Sequence, residues 1–540
     1  MDVLILALNS KYIHSSLAPW YLKAVVPEAE VLEHTINENI DAVISDVISR
    51  KPKLLAVSVY IWNVEYAEKL LCMVKNELPD VITVVGGPEV SYNSKEVLNR
   101  CSAVDYVICG EGEVPFAALC EHVFNAADSE LAGISYRGRI AAPYIGEGTP
   151  ESPYTDEYFN VLNGRIAYFE SSRGCPYSCA YCLSGRCEGM RFFDMNYVKD
   201  NLIKLANSGS KTIKFVDRTF NSDRRRALDI LSFILENRGK TFPDDVCFHF
   251  ELSGDLLDDN TIEFLKKAPA GLFQFEIGIQ SFNPDTIKAI HRKTNSDTLK
   301  SRIRQLVDMG NAHVHTDLIA GLPYENYDSF VGSFNQAYAL GAHMLQLGFL
   351  KILHGTELED KSAQYDFAFS SEPPYEVCET PWLSKDDFSK LKIAENAVDR
   401  LHNSGRFKRT IKLCLPYFDN AYNFFFQCGM AIKDIRGLDD MTDVLYEFLS
   451  SEFPHMAENI RDAMVCDRLA TNSSKGLPKS LYRADSRIAE IKKRLNNDVY
   501  TAPKPHIRRN IAVLNSGMVV YADYDKKNNR GEYLLGYINL

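Results

Sequence analysis

Three cysteines, Cys175, Cys179 and Cys182, stand in a C-x3-C-x2-C pattern within residues 171–185, which read SSRGCPYSCAYCLSG. Thiolates hold iron–sulfur clusters, and a cubane of four irons takes four of them. Three close cysteines with no local fourth leave one iron open to a substrate or cofactor, as an open zinc site is. Cys187, five residues further on, reads as a bystander thiol. Zinc is the alternative for the triplet, but its sites pair two cysteines with a distant Cys or His pair, and no such partner stands out.

The loop, with aromatic Tyr181 just before the last cysteine, resembles that of the radical S-adenosylmethionine enzymes. The resemblance implies a [4Fe-4S] cluster on Cys175, Cys179 and Cys182, with its open iron chelating the amino and carboxylate groups of S-adenosylmethionine. It also implies one-electron cleavage of the sulfonium to a 5′-deoxyadenosyl radical, with Tyr181 beside the cofactor.

The loop must be carried by a scaffold, and the surrounding pattern supplies one. Strand-like segments at Ile166–Glu170, Thr212–Val216, Cys247–Glu251, Leu272–Ile279, Ala312–Ile319 and Met344–Leu350 alternate with helical stretches such as Arg224–Asn237 and Ser296–Met309. Six βα repeats predict a partial (β/α)6 barrel, whose chemistry belongs at the C-terminal strand ends. Polar residues collect there: Asp217, Arg218 and Asn221 after the second strand, Glu251 on the third, Asp317 on the fifth. In Phe275–Gln280 the period of two puts Glu276, Gly278 and Gln280 on one face. A buried carboxylate there needs a cationic or donor partner. The Glu-x-Gly-x-Gln-Ser strand recurs in the resembled family, which implies that Glu276, Gly278, Gln280 and Ser281, with Glu251 and Asp317, contact the cofactor. The competing reading pairs these carboxylates with buried arginines for structure alone.

The first 140 residues also alternate strands and helices: Val3–Leu8, Glu30–His34, Leu54–Tyr60, Val81–Val85 and Asp105–Cys109 are the strands. This predicts a parallel sheet, in which ligands bind beyond the carboxyl strand ends. Asn9–Ser16, Tyr60–Asn63, Gly86-Gly87-Pro88-Glu89 and Gly110-Glu111-Gly112-Glu113 lie at those ends. Each glycine cluster alone reads as a tight βα turn. Together they resemble the cobalamin-binding domain that precedes many radical S-adenosylmethionine cores, which implies that Gly86, Gly87, Gly110, Glu111 and Gly112 face cobalamin. Neither turn is a G-x-G-x-x-G fingerprint, so a nicotinamide dinucleotide is a poor fit. The D-x-H-x-x-G loop that supplies a cobalt-ligating His in mutases is absent after the first strand, and cobalt is expected to lack a protein His ligand; His14 reads as a loop residue.

Beyond the barrel, residues 371–386 read as a linker. Lys385–Leu401, Leu438–Phe453 and Ile488–Leu495 read as helices, and Ile511–Asn539 as a β-hairpin turning at Lys526–Gly531. This third resembles an uncharacterised C-terminal domain that follows such cores. The fold class expected is α/β: a Rossmann-like (flavodoxin-like) parallel sheet over 1–140, a linker over 141–163, a radical S-adenosylmethionine barrel over 164–368, and a mixed α+β domain over 369–540.

The chain of 540 residues has a formal net charge of −12, with 46% hydrophobic and 24% charged residues. That balance leaves no electrostatic footprint for nucleic acid or an anionic membrane. Thirteen scattered cysteines fit reduced thiols in a reducing, cytoplasmic compartment. The expected function is methylation of an unactivated carbon in a small-molecule or natural-product substrate, with electrons from a flavodoxin- or ferredoxin-type donor. A cobalamin-assisted cyclase or rearrangement catalyst is the alternative, as is a non-catalytic corrinoid or cluster carrier. A tRNA methylthiotransferase is disfavoured because cysteines are missing near the first strand's end, where Asn9 and Ser10 stand.

Overall fold

The computed structural model describes residues 2–125, 131–186, 189–472, 476–489, 511–528 and 531–539. Cys187 lies outside them, as does most of the helix expected at Ile488–Leu495.

The N-terminal sheet contains β1 (Val3–Asn9), β2 (Glu30–Thr35), β3 (Leu54–Ser58), β4 (Ile82–Gly86), β5 (Tyr106–Ile108) and β6 (Ile134–Tyr136), in the order β2-β1-β3-β4-β5-β6. Neighbours are parallel except β5 and β6. All seven residues of β1 are buried because helices cover both faces of the sheet, and such strands read as unbroken apolar runs. Antiparallel β6 was not foreseen: three residues carry too little pattern to register.

The second sheet begins with β7 (Ala167–Phe169). The chain then makes a small antiparallel hairpin, β8 (Ser172–Gly174) with β9 (Met190–Phe192), and returns through β10 (Thr212–Phe215), β11 (Cys247–Leu252), β12 (Phe273–Gln280), β13 (His313–Ala320) and β14 (Met344–Phe349). The order β14-β13-β12-β11-β10-β7 is parallel throughout, with the sheet left open, as the six βα repeats predict. In β12, Phe273, Phe275, Ile277 and Ile279 are buried in the apolar core, while Gln274, Glu276 and Gly278 take the opposite face. Burying each such Phe or Ile stabilises the fold by roughly 1.5–3 kcal/mol. The cysteine loop is the loop of the β8–β9 hairpin, hung just beyond the end of β7.

The C-terminal third differs from expectation in two places. Residues 371–386 are not a free linker: β15 (Ala368–Phe369) pairs with β16 (Val377–Glu379), and Val377 N–H donates to Leu350 O at 2.9 Å beside the end of β14. Proline-rich composition hides such edge pairing, which rests on backbone groups alone. The expected terminal hairpin is a three-stranded antiparallel sheet, β17 (Ile511–Val513), β18 (Val519–Lys527) and β19 (Tyr533–Ile538). A second turn at Leu514–Met518 divides what had read as one strand; part of the turn at Lys526–Gly531 lies outside the described residues. Helix Ala421–Ile432 packs on Lys385–Ala397, Lys408–Cys414 packs on Ala457–Thr471, and Tyr422, Phe424 and Phe425 are buried core residues.

Candidate active site

The loop that carries the cysteines is fixed from several sides. Cys182 N–H donates to Cys179 O at 3.0 Å, Ala180 N–H to Ile290 O at 3.1 Å, and Leu358 N–H to Ala180 O at 3.0 Å. Cys175 Sγ lies 3.4 Å from Thr219 Oγ1, beyond the end of β10. The three thiols are half-buried. Burial pushes the Cys179 thiol up, and Cys182 and Cys175 both lie within electrostatic reach of it. Among the described residues, no three Cys, His, Asp or Glu side chains converge as ligands of a single metal ion. Tyr181, largely buried, receives a hydrogen bond at 3.3 Å on its hydroxyl from Arg292 Nη1.

Arg292 links this loop to the strand ends. Its Nη2 donates to Gly278 O, so the β12 residue singled out from sequence serves through its backbone. Around it three buried polar atoms have no partner: Arg292 Nε, Gln280 Oε1 and Asp317 Oδ1. Burial, then the charges of Glu276 and Glu251, push the Asp317 carboxyl up to about 8. Glu276 accepts from His249 Nε2 at 2.9 Å and from Lys214 Nζ at 3.1 Å. His249 first, then Lys214, hold its carboxyl down at about 2, against the opposing pull of burial. Glu251 sits opposite Glu276 in register, 3.7 Å from the same lysine. The partner required by a carboxylate here is thus a lysine and a histidine. Ser281 departs from the expected cofactor contact. It is 2% exposed, and its hydroxyl donates to Glu325 Oε1 at 2.6 Å, closing a knot with Ser333 under the strand.

The N-terminal turns and the barrel mouth enclose a cavity of about 710 Å³. Gly86, Gly87, Gly110, Glu111 and Gly112 line it, as do His14, Tyr60, Trp62, Tyr168, Arg173 and Arg218. The glycines answer two demands at once. Gly87 and Gly110 hold φ +120° and +85°, and a Cβ would stand 2.4 Å from Val59 O and 2.3 Å from Tyr144 O. They are forced by the turns, and they also leave the cavity wall bare of side chains. Tyr60 and Trp62 stack at 4.4 Å, 6° from parallel. His14 Nδ1 is 2.8 Å from Tyr168 Oη. Glu111 faces two arginines: Arg173 Nη1 and Arg191 Nη2 each donate to its Oε2 at 2.5 Å. Arg173 also donates to Glu113 at 2.6 Å and to Glu170 at 2.9 Å. Burial lifts the Glu170 carboxyl to about 7 despite Arg173. Across the same joint, Tyr375 Oη donates to Glu89 at 2.5 Å, bringing the segment before β16 against the Gly86–Glu89 turn.

Sequence reasoning missed Arg292, Lys214 and Arg173. Lys214 had a usable signal, since it lies on the same period-two face as Glu276 two strands away. The guanidinium contacts of Arg292 and Arg173 depend on loop geometry, for which spacing gives none.

The chain matches three family models: "B12 binding domain" at residues 3–120, "Radical SAM superfamily" at 169–337, and "Protein of unknown function (DUF4080)" at 363–511. It is 28% identical over 326 residues to a 2-(S-pantetheinyl)-carbapenam-3-carboxylate methyltransferase of Streptantibioticus cattleyicolor, covering 54% of this chain and 46% of that protein. It is 27% identical over 380 residues to the cobalamin-dependent radical SAM methyltransferase TokK of Streptomyces tokunonensis, covering 65% and 54%. The chain therefore spans about half the length of these curated relatives. Its fold is similar to that of the cobalamin-dependent S-adenosylmethionine radical enzyme OxsB, solved with aqua-cobalamin bound: TM-score 0.59, 15% identity, 93% of this chain and 82% of that one.

Proposed function

As a radical S-adenosylmethionine protein with an N-terminal B12-binding domain and a C-terminal domain of the DUF4080 family, this chain, we propose, methylates an unactivated carbon of a small-molecule substrate. The observation that supports this most directly is a single cavity bounded by the turns of the first domain and by the barrel mouth that carries the cysteine loop.

The residues present fit the groups the domains imply. Cys175, Cys179 and Cys182 would hold a [4Fe-4S] cluster. Near them, the unpartnered Gln280 Oε1, Asp317 Oδ1 and Arg292 Nε offer two acceptors and a donor to the amino, ribose and carboxylate groups of S-adenosylmethionine. The bare glycine turns and the Tyr60–Trp62 stack offer cobalamin a surface shaped by backbone and flat rings. When bound, these groups supply a 5′-deoxyadenosyl radical and a methyl carrier; orientation and exclusion of water fall to the protein.

Each residue's part follows from its contacts. Arg292 ties Tyr181 of the cysteine loop to Gly278 O, fixing the distance between the sulfurs and the strand ends. Glu276, charged at neutral pH and clamped by His249 and Lys214, gives that face a fixed negative point. Asp317, protonated over much of the neutral range, can donate as well as accept. Arg173 joins Glu111 and Glu113 of the first domain to Glu170 of the second, so the two halves of the cavity keep one geometry.

The deciding experiment is anaerobic reconstitution with iron, sulfide and cobalamin, then reduction by dithionite with CD3-labelled S-adenosylmethionine. Formation of 5′-deoxyadenosine together with transfer of CD3 to a component of a metabolite extract is expected. Deoxyadenosine with no labelled product would turn the reading toward cyclisation or rearrangement. Cofactor binding without cleavage would leave a carrier.

A further inference from the structure

We infer that Arg218 anchors a carboxylate of the substrate in the shared cavity, which makes the substrate an organic acid; this deepens the reading above and rests on it. Arg218 lines the cavity and is exposed within it. Its backbone is pinned on both sides. Asp217, 1% exposed, accepts from Ser171 N–H at 3.0 Å and from the Ser171 and Ser172 hydroxyls at 2.6 and 2.5 Å. Thr219, 4% exposed, donates its hydroxyl to Arg218 O at 2.9 Å and stands beside Cys175 Sγ.

The guanidinium itself is unused. Among the described residues nothing accepts a hydrogen bond or forms an ion pair with it, although the other arginine in the cavity wall, Arg173, is saturated by three carboxylates. Burial raises both the Glu251 carboxyl and the Tyr60 hydroxyl, and the charge of Arg218 draws each back down. Its field thus reaches the strand face of the barrel and the aromatic stack of the first domain at once. A planar fork of N–H donors on a fixed backbone, lining the cavity with no ion pair of its own among the described residues, is suited to bidentate capture of a carboxylate. Such an ion pair would hold one end of the substrate one residue away from the group that touches the first cluster ligand, with the remainder lying along the apolar strand-end wall.

S-adenosylmethionine also carries a carboxylate, so the test must separate the two sources. Holoenzyme loaded with cluster and cobalamin is treated anaerobically with phenylglyoxal, which modifies accessible guanidinium groups, and the peptide bearing Arg218 is followed by mass spectrometry. Rapid modification is expected, slowed by benzoate and not by benzamide. Failure of Arg218 to react, equal protection by benzamide, or full protection by S-adenosylmethionine alone would overturn the assignment. The last outcome would give the guanidinium to the cofactor. In equilibrium dialysis, R218Q holoenzyme with unchanged cobalamin and iron content should bind labelled benzoate roughly 10- to 100-fold more weakly than the parent, the worth of a charge-assisted pair. Equal binding would refute the anchor. If benzoate discriminates as expected yet no 5′-deoxyadenosine ever forms on reduction, the radical reading fails while the anion site stands.

Discussion

The two walls of the cavity are made of different material. The wall from the first domain is mostly backbone and apolar surface: the bare turns at Gly86-Gly87 and Gly110, the strand-end residues Ile5, Ala56 and Val84, and one aromatic pair, its carboxylates Glu111 and Glu113 being taken up by Arg173. The barrel mouth opposite is charged, with Glu170, Arg173 and Arg218 facing the cavity and Glu251, Glu276 and Asp317 on the strands behind it. An apolar wall holds a large flat ligand by shape, whereas a charged one orients polar groups and resists losing any member. The contrast explains why substitutions should act by different routes on the two sides.

The largest effect is expected on the charged side at the cysteines. Cys179→Ala should abolish labile iron and sulfide on reconstitution and reduce 5′-deoxyadenosine to background, read by iron analysis and chromatography. Next is Arg173→Met, which leaves Glu170 and Glu113 without their cation and Glu111 with Arg191 alone in a half-buried joint. Removing one side of such a network costs about 3–5 kcal/mol. A matching drop in denaturant midpoint, with weaker retention of cobalamin, is the outcome to check, and Glu111→Gln should cost less because Arg173 keeps two carboxylates. On the apolar side, Gly110→Ala must adopt φ +85° against Tyr144 O. It should cost about 1–3 kcal/mol in strain, with cobalamin uptake falling while iron content holds; equal loss of both would erase the distinction between the walls.

A further contrast concerns pH. Asp317 titrates at about 8 in the folded protein, above its ordinary value near 3.8. The folded state therefore keeps a proton that the unfolded chain gives up, and stability falls as pH rises from about 4 to about 8. Asp317→Asn should remove that decline, so its advantage over the parent grows across the window in thermal melts and levels off above it. Glu276 has the opposite sign. Its carboxyl sits at about 2, so its contribution is present above pH 4 to 5 and is lost only as pH drops toward 2.

Much of this was legible in the residues. The period-two strands and the glycine turns forecast both sheets, because fully covered parallel strands must be apolar and bent turns must be glycine. The alternation in β12 placed Glu276 on the polar face and demanded a partner for it, although arginine was the partner considered and the structure supplies Lys214 and His249. What stayed hidden depends on pairing between distant segments. Ser281 looked like the end of a cofactor strand, but a register shift after Gly278 and the arrival of Glu325 from the next loop turn it into a structural knot. The pairing of β15 with β16 and the division of the terminal sheet rest on backbone hydrogen bonds, which leave no trace in side-chain pattern.

Arg173 stands on the short strand β8, two positions before Cys175 and one before the strand's end. Because its guanidinium is bolted to the Gly110–Glu113 turn, any displacement of that turn pulls directly on the stretch bearing the first sulfur. On the proposed reading, the seat of the macrocycle and the grip on the iron are mechanically one part, and a lineage that resized the first could not do so without re-tuning the second.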